Sequence, residues 1–256
     1  MQDLKVTLVQ ANQIWEDKQA NLAHYSQLLQ NCSNTDVVVL PEMFHTGFSM
    51  NAAELAEKMN NSIGLDWLRL TSKEKKVAIY TSLIMEENGL YYNRGVFVIP
   101  SGEVISYNKR KCFGLAGEDK VFTPGQEKTI VEYKGWKIQL QICYDLRFPE
   151  ILRNKLSANL IPSYDVLIFV ANWPEKRKIH WQTLLAARAI ENQSYVIGVN
   201  RIGEDGKGLI YSGDSLVADA LGNIKTLPEK IEEVKTVSLS WELLEKTRRD
   251  LPFLKD

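Results

Sequence analysis

The chain has 256 residues, of which 45% are hydrophobic and 25% are charged. These proportions are typical of a globular protein with a sizeable core, and they exclude an intrinsically disordered chain. Lysine and arginine total 31 against 32 aspartate and glutamate residues, so the formal net charge is -1. Because such a balance produces no long-range field that attracts a polyanion, nucleic acid is not an expected partner.

Cysteine usage and the N-terminal sequence indicate the compartment. Cys32, Cys112 and Cys143 are an odd number of cysteines with no CxxC pair and no histidine at metal-ligand spacing, which predicts neither a disulfide framework nor a metal site. The first residues lack the basic flank and apolar core of a secretory signal, and no apolar run approaches the roughly 18 residues of a membrane helix. We therefore expect a cytoplasmic protein that does not bind a membrane.

Hydrophobic periodicity predicts strands and helices along the first half of the chain. Apolar residues alternate at the N-terminus, and the run of valines at 37–39 is typical of a strand that is buried on both faces. In chain order the predicted elements are strand 4–9, helix 17–29, strand 36–40, helices 52–58 and 65–75, and strands 77–85, 92–100 and 104–108.

The second half continues the pattern with no Pro-, Gly- or Ser-rich break, so we expect residues 1–256 to form one α/β domain. Its predicted elements are strands 128–133 and 136–143, helix 148–156, strand 165–171, helix 175–193, strands 195–200, 215–220 and 236–240, and a helix from about 241. Residues 203–206 predict a turn. Two architectures fit this order: a doubly wound sheet, or two face-to-face sheets with helices outside.

Three predicted strands end next to a chemically reactive side chain. Glu42 follows strand 36–40, Lys109 follows strand 104–108, and Cys143 ends strand 136–143. In α/β folds, sites assemble at the carboxyl ends of strands. A carboxylate that takes the thiol proton, a thiolate nucleophile, and an ammonium that stabilises an oxyanion with the Tyr144 amide would form a coherent catalytic set.

Each of these residues also has an ordinary structural explanation. A cysteine at a strand end is commonly a small buried hydrophobe, a Pro-Glu pair is commonly a turn, and a lysine beside other basic residues commonly lies in a solvated loop. A Cys–His dyad would need one of the three histidines, and none has a neighbouring Asn or Asp to orient it.

The sequence segments around the three residues resemble those of a known family. The segments VVLPEMF (38–44), YNKR (107–110) and ICYDLRFPE (142–150) are similar, in order and spacing, to the signatures of the nitrilase or carbon–nitrogen hydrolase superfamily. The resemblance continues through ANWP (171–174) and on to YSGDS (211–215), so that it covers nearly the whole chain.

This resemblance implies a four-layer αββα sandwich of the nitrilase type and a triad of Glu42, Lys109 and Cys143. It also implies a second active-site glutamate, Glu118, that orients the lysine and the substrate amide. No metal or organic cofactor is implied, and related enzymes commonly form dimers, so we expect a homodimer. Many relatives have His-Leu soon after the lysine where this chain has Lys-Cys, and the Tyr-x-Lys register selects Lys109 over Lys111.

Segments 41–48, 143–149 and 172–174 are most similar to the ω-amidase branch of the superfamily. This implies hydrolysis of the terminal amide of 2-oxo acids such as 2-oxoglutaramate and 2-oxosuccinamate, with release of ammonia. Because the substrate carries a carboxylate, a planar guanidinium is suited to bind it. Arg147 is the first candidate and Arg177 the second, and an ion pair of Arg147 with a neighbouring acid is the alternative.

A small-molecule amide is thus the expected partner, and four aromatic residues are candidates for the pocket wall: Phe44, Phe113, Tyr144 and Trp173. Three alternatives remain open. The same triad would also cleave an N-carbamoyl amino acid, an aliphatic amide or a nitrile; the acyl group would pass to an amine instead of water; or the fold would bind a ligand without catalysis.

Overall fold

Fourteen strands and six α-helices follow one another in the computed structural model, which describes residues 1–256. In chain order they are β1 (Leu4–Gln10), α1 (Lys18–Leu28), β2 (Val37–Val39), α2 (Ala52–Leu55), α3 (Ile63–Lys75), β3 (Ala78–Glu87), β4 (Leu90–Val98), β5 (Val104–Asn108), α4 (Glu118–Val121), β6 (Ile130–Tyr133), β7 (Trp136–Ile142), β8 (Val166–Ala171), α5 (Lys178–Asn192), β9 (Tyr195–Asn200), β10 (Ile202–Glu204), β11 (Ile210–Ser212), β12 (Leu216–Ala218), β13 (Ile224–Thr226), β14 (Glu233–Leu239) and α6 (Trp241–Asp250).

The strands form two six-stranded sheets and one small hairpin. The first sheet has the order β14-β1-β2-β3-β4-β5, the second has the order β13-β12-β9-β8-β7-β6, and β10 and β11 form a separate two-stranded hairpin. In the first sheet β1, β2 and β3 run parallel, and in the second β7, β8 and β9 do so. Because parallel strands end at the same edge of a sheet, each sheet presents several carboxyl ends together.

The two sheets pack face to face, and helices cover their outer faces. Alternation along β2 shows this directly: Val37 and Val39 belong to the large core that contains residues of both sheets, whereas Val38 packs with α1 and α3. On the second sheet α5 lies directly over Gly198, where a Cβ atom would come within 2.6 Å of Leu185 and Trp181. The predicted four-layer αββα sandwich is therefore confirmed.

Local sequence determines where several helices begin. The Asp17 side chain accepts a hydrogen bond from the Ala20 amide at the start of α1, and Ser62 and Ser240 cap α3 and α6 in the same way. Such caps satisfy amides that have no partner within the helix. None of the helices combines the length and apolar character that a bilayer span requires.

Several parts of the fold differ from the sequence prediction, including the short helix α4 and the strand β13, which the sequence did not indicate. The helix expected at 148–156 is only a short 3-10 turn, Pro149–Ile151. The chain then leaves helical geometry because Asn154 is bound to α5, its amide donating to the Asn192 side chain (2.8 Å) and its Nδ2 to the Asn192 carbonyl (3.0 Å). Residues 202–212 form the β10–β11 hairpin, where the sequence indicated only a turn.

Candidate active site

Cys143 begins a 3-10 turn, Cys143–Arg147, that follows β7 directly. Its φ of 44° lies in the left-handed region, which is strained for a residue with a Cβ atom. The buried carboxylate of Asp145 holds this turn in place, accepting hydrogen bonds from the Ile142 amide (3.0 Å) and the Tyr107 hydroxyl (2.8 Å). The chain therefore changes direction sharply at the end of β7. Cys143 lines a pocket at this point.

Glu42 lies beyond the carboxyl end of β2, and its side chain is fully buried. Its Oε1 atom accepts hydrogen bonds from Lys109 Nζ (2.9 Å) and Asn93 Nδ2 (2.7 Å). Its Oε2 atom accepts one from the backbone amide of Asn172 (2.8 Å), the residue that follows β8. The carboxylate therefore connects the two sheets of the sandwich.

Lys109 follows β5 and is 1% exposed. Its Nζ atom lies 2.9 Å from Glu42 Oε1 and 2.9 Å from both carboxylate oxygens of Glu118. Burial alone would lower the pKa of this ammonium, but the carboxylates of Glu118 and Glu42 outweigh burial and hold its pKa well above the usual value. Lys109 is consequently a fixed positive charge.

Glu118 is the first residue of the short helix α4, in a segment that the sequence indicated only as a polar loop. Its Oε2 atom accepts hydrogen bonds from Lys109 Nζ (2.9 Å) and from the Phe113 amide (2.5 Å), and its Oε1 atom from Lys109 (2.9 Å) and Asn93 (3.1 Å). All four bonds hold the carboxylate against the lysine. This is the position that the resemblance implied for an orienting glutamate.

The thiol of Cys143 is affected by the same charges. Burial raises its pKa well above the ordinary value, the Glu42 carboxylate raises it further, and the Lys109 ammonium opposes both. The resting cysteine is thus a neutral thiol, and a base must remove its proton when it reacts.

None of the three histidines forms a hydrogen bond to this thiol. His24 contacts Glu232, His45 is buried against Glu57, and His180 Nδ1 lies 3.0 Å from Arg147. The alternative of a Cys–His dyad is therefore not supported by the geometry. No group of three His, Cys, Asp or Glu side chains is arranged to hold a metal ion.

The pocket at Cys143 is small, about 60 Å³. Five residues expected from the sequence line it with Cys143 and Lys109, namely Phe113, Tyr144, Arg147, Trp173 and Arg177. A larger groove of about 430 Å³ lies along α6, but no cysteine, serine or threonine lines it. The nucleophilic chemistry therefore belongs to the smaller pocket.

One expected wall residue is placed elsewhere. Phe44 is completely buried in the core between the first sheet and its helices, where its ring stacks on His45 at 5.1 Å. Met43 has a φ of 47°, so the chain turns sharply after Glu42. Phe48 lies on the pocket wall instead, with its ring 5.2 Å from Lys109 Nζ.

The two candidate arginines lie on aromatic walls of the pocket. The Arg147 guanidinium is 4.9 Å from the Trp173 ring, and that of Arg177 is 5.3 Å from the Phe113 ring. Neither forms a salt bridge with a carboxylate, so the alternative of an ion pair between Arg147 and a neighbouring acid is not observed. Both guanidinium groups consequently face the pocket without an acidic partner.

The β10–β11 hairpin supplies a wall that sequence reasoning missed. Asp205, Lys207, Leu209 and Tyr211 of this hairpin line the pocket. Asp205 is the acid among them, and its oxygens accept hydrogen bonds from the amides of Lys207 (2.8 Å) and Leu209 (3.0 Å) and from the Tyr211 hydroxyl (2.8 Å). The Gly-rich composition of 203–208 was the sequence signal for a hairpin turn.

Comparisons with known proteins place the chain in a class of enzymes that hydrolyse carbon–nitrogen bonds. Residues 5–249 match the model of the Carbon-nitrogen hydrolase family. The chain is 44% identical to omega-amidase YafV of Yersinia enterocolitica over 257 residues, which cover 100% of this chain and 97% of the relative. It is 32% identical to the 2-oxoglutaramate amidase of Bacillus subtilis, covering 87% of this chain and 85% of that protein.

A solved structure shows the same fold. The crystal structure of a CN-hydrolase superfamily protein from Xanthomonas campestris superposes with a TM-score of 0.97 at 38% identity, covering 100% of this chain and 97% of that one. The chain therefore belongs to the carbon–nitrogen hydrolase family, and it is a hydrolase of carbon–nitrogen bonds other than peptide bonds.

Proposed function

We propose that this enzyme hydrolyses the terminal amide of small 2-oxo acid amides, such as 2-oxoglutaramate and 2-oxosuccinamate, to the 2-oxo acid and ammonia. The observation that carries the proposal is the combination, in one small pocket, of a buried thiol with two arginines that have no acidic partner. The relatives named omega-amidase and 2-oxoglutaramate amidase support the same substrate class.

In the first step, Cys143 Sγ forms a bond to the amide carbon while its proton passes to Glu42. Glu42 Oε2 is the oxygen suited to accept that proton, because it has one hydrogen-bond donor and a free lone pair, whereas Oε1 already has two donors. The carbonyl oxygen becomes an oxyanion, which the Lys109 ammonium and the Tyr144 backbone amide stabilise. A donor of this kind contributes about 100- to 1,000-fold in rate.

In the second step, the carbon–nitrogen bond breaks, Glu42 gives its proton to the nitrogen, and ammonia leaves a thioester on Cys143. A water molecule then gives a proton to Glu42 and attacks the thioester carbon. The carbon–sulfur bond breaks, the sulfur takes back the proton, and the 2-oxo acid leaves. Glu118 takes no proton in this scheme, because both of its oxygens already accept two hydrogen bonds.

Substrate selection would come from the arginines. A 2-oxo acid amide carries a carboxylate at the end opposite the scissile amide, and Arg147 or Arg177 would pair with it. Arg147 Nη2 already contacts His180 (3.0 Å), whereas no partner accepts a hydrogen bond from the Arg177 guanidinium. Phe48, Phe113, Tyr144 and Trp173 would enclose the short carbon chain.

The test is a substrate panel with ammonia detection. We expect kcat/KM to be highest for 2-oxoglutaramate and 2-oxosuccinamate, and lower for an N-carbamoyl amino acid, an aliphatic amide and a nitrile. Cys143→Ala should abolish ammonia release, whereas Cys32→Ala, a change outside the pocket, should not. Full activity of Cys143→Ala would refute the mechanism, and preference for another member of the panel would refute the substrate class.

Intact-protein mass distinguishes catalysis from simple binding. An electrophilic amide analogue should form an adduct at Cys143, and the absence of any adduct would favour a ligand-binding protein. Adding an amine acceptor to the assay reveals any transfer of the acyl group away from water.

A cytoplasmic homodimer completes the proposal. The tail after α6 leaves Phe253 59% exposed and Leu251 38% exposed, which suits an interface between two copies. The free cysteines Cys32, Cys112 and Cys143 are compatible with a reducing compartment. Sedimentation at several protein concentrations tests the dimer.

A further inference from the structure

We propose that Asn93 is a positioning residue of this active site, whose side-chain amide sets the relative orientation of the two carboxylates that face Lys109. The inference rests on the proposed thiol chemistry, but it does not depend on which amide is the substrate. Asn93 belongs to β4, and nothing in its sequence surroundings distinguishes it from an ordinary strand residue.

The geometry at Asn93 is specific. Its Nδ2 atom donates to Glu42 Oε1 at 2.7 Å and to Glu118 Oε1 at 3.1 Å, so that each hydrogen of the NH₂ group serves one carboxylate. Its backbone carbonyl accepts a hydrogen bond from the Lys109 amide at 3.0 Å. One residue, 1% exposed, thus binds both carboxylates through its side chain and the backbone of Lys109 through its carbonyl.

The orientation of the amide is dictated by its neighbours. Carboxylates only accept hydrogen bonds, so the opposite orientation would place Oδ1 against both of them. The observed orientation leaves Oδ1 buried with no donor from the protein. An unpaired buried oxygen costs free energy, so the two hydrogen bonds from Nδ2 to the carboxylates are what favour this orientation.

An amide also has a property that a charged residue lacks. Glu42 and Glu118 place two negative charges around the single ammonium of Lys109, and all three side chains are buried. Asn93 adds two donors without adding charge and without a proton that titrates near neutral pH. By occupying Glu42 Oε1 together with Lys109, it leaves Oε2 as the oxygen with a free lone pair for the thiol proton.

The first test is the pH dependence of Asn93→Ala. The backbone bond to Lys109 survives this change, but both carboxylates lose a donor. Removing a hydrogen bond to a charged group lowers the rate by about 10- to 100-fold. We expect this loss in kcat, with little change in KM. The acidic limb of the profile should move to higher pH, because the ionised form of Glu42 has lost a hydrogen bond.

Asn93→Asp is the isosteric variant. Its carboxyl group would lie within hydrogen-bond distance of two other carboxylates, which disfavours its ionisation. When it is protonated it still donates to one of them, and when it ionises it repels both. We therefore expect the activity of Asn93→Asp relative to wild type to fall as the pH rises.

A readout without substrate separates this inference from the proposed function. The rate at which iodoacetamide alkylates Cys143, located by peptide mass, should show the same shifts in pH dependence. If wild type does not hydrolyse 2-oxo acid amides but Asn93→Ala still shifts the alkylation profile, the proposed substrate fails and the inference stands.

Asn154→Ala is the matched control. Asn154 is also buried, and its Nδ2 atom donates to the Tyr164 and Asn192 carbonyls (each 3.0 Å), away from the triad. Its variant should retain the wild-type pH profile even if it is less stable. A wild-type pH profile in Asn93→Ala would overturn the inference. If the alanine variant does not fold, the inference is overturned when the activity of Asn93→Asp relative to wild type does not change with pH.

Discussion

Lys109 is the buried cation that pairs with both carboxylates of the candidate site, Glu42 and Glu118. Its ammonium lies 2.9 Å from Glu42 and 2.9 Å from Glu118, and all three side chains are almost completely removed from solvent. A pair of this kind is costly to desolvate, and removing one partner leaves an uncompensated charge. The residue therefore serves the fold as well as the proposed oxyanion stabilisation.

We predict that Lys109→Met lowers the free energy of unfolding by about 3–5 kcal/mol and abolishes ammonia release, because two buried carboxylates lose their counterion. Urea unfolding and the ammonia assay measure both effects. Lys111→Met is the control, since Lys111 pairs with an exposed Glu150 at 3.3 Å and such a surface pair contributes about 0–1 kcal/mol. Equal effects of the two changes would contradict the assignment of Lys109.

Asp145 makes the stability depend on pH. Burial raises its pKa from 3.8 to about 6, although hydrogen bonds from the Ile142 amide, the Tyr107 hydroxyl and the Lys111 amide oppose the rise. Between these two values the native state holds more protons than the unfolded state, so this group's contribution to stability is present below about pH 4. It is lost as the pH rises through about 6.

We predict that Asp145→Asn removes this dependence. The free energy of unfolding of the variant minus that of wild type should increase by about 2 kcal/mol between pH 4 and pH 7, at about 1.4 kcal/mol per pKa unit, because the unfolded-state carboxyl is already partly ionised at pH 4. Urea titrations of both proteins across this range provide the measurement. A difference that stays constant with pH would show that Asp145 ionises normally in the folded protein.

Sequence reasoning predicted the positions of Glu42, Lys109, Glu118 and Cys143 but not of Asn93. The triad residues end predicted strands and lie in recognisable motifs, whereas Asn93 lies inside a strand whose pattern is ordinary. Its contacts join residues that are 51 and 25 positions away. Only folding reveals such partners.

The β10–β11 hairpin forms part of the pocket wall but carries none of the proposed catalytic residues. It supplies Asp205, Lys207 and Tyr211 to the pocket, whereas Glu42, Lys109 and Glu118 come from other parts of the chain. The buried side chain of Arg201 holds it in place through the carbonyls of Gln13 (3.2 Å) and Glu204 (3.0 Å). Displacing the hairpin should therefore weaken substrate binding more than the chemical step.

Gly206→Ala tests this separation. A Cβ atom at Gly206 would lie 2.5 Å from the rigid ring of Trp15, so the hairpin must shift. We expect KM for the 2-oxo acid amide to rise about tenfold while kcat changes little, which is the signature of lost uniform binding. Gly114→Ala is the matched control, because the nearest atom to its Cβ is 3.5 Å away. A fall in kcat with unchanged KM would contradict the assignment.

Elements with strong periodicity were predicted well, whereas elements defined by distant partners were not. The valine-rich run at 37–39 became β2 because its alternate side chains enter two different cores. Residues 148–156 carry helical spacing, yet hydrogen bonds from Asn154 to α5 replace the expected helix. A tertiary contact thus overrode a local preference.

Over the whole molecule, the candidate active site lies where the two sheets meet. The backbone amide of Asn172, which follows a strand of the second sheet, donates a hydrogen bond to Glu42, 130 residues away in sequence. The Tyr80 hydroxyl of the first sheet donates to the Gln141 carbonyl of the second at 2.9 Å. The geometry around the thiol therefore depends on the packing of the entire sandwich. The near-zero net charge of -1 suits a small substrate that is bound by local cations.

By itself, the sequence determined the fold class and the family, because periodicity and motifs are local properties of the chain. It also predicted four charged or nucleophilic site residues, and the function of these four stays a prediction. Tertiary structure alone decided that Phe48 and not Phe44 lines the pocket, that two arginines there lack acidic partners, and that Asn93 joins the carboxylates. Burial and hydrogen-bond pairing arise between residues far apart in sequence, so they exist only once the two sheets have packed.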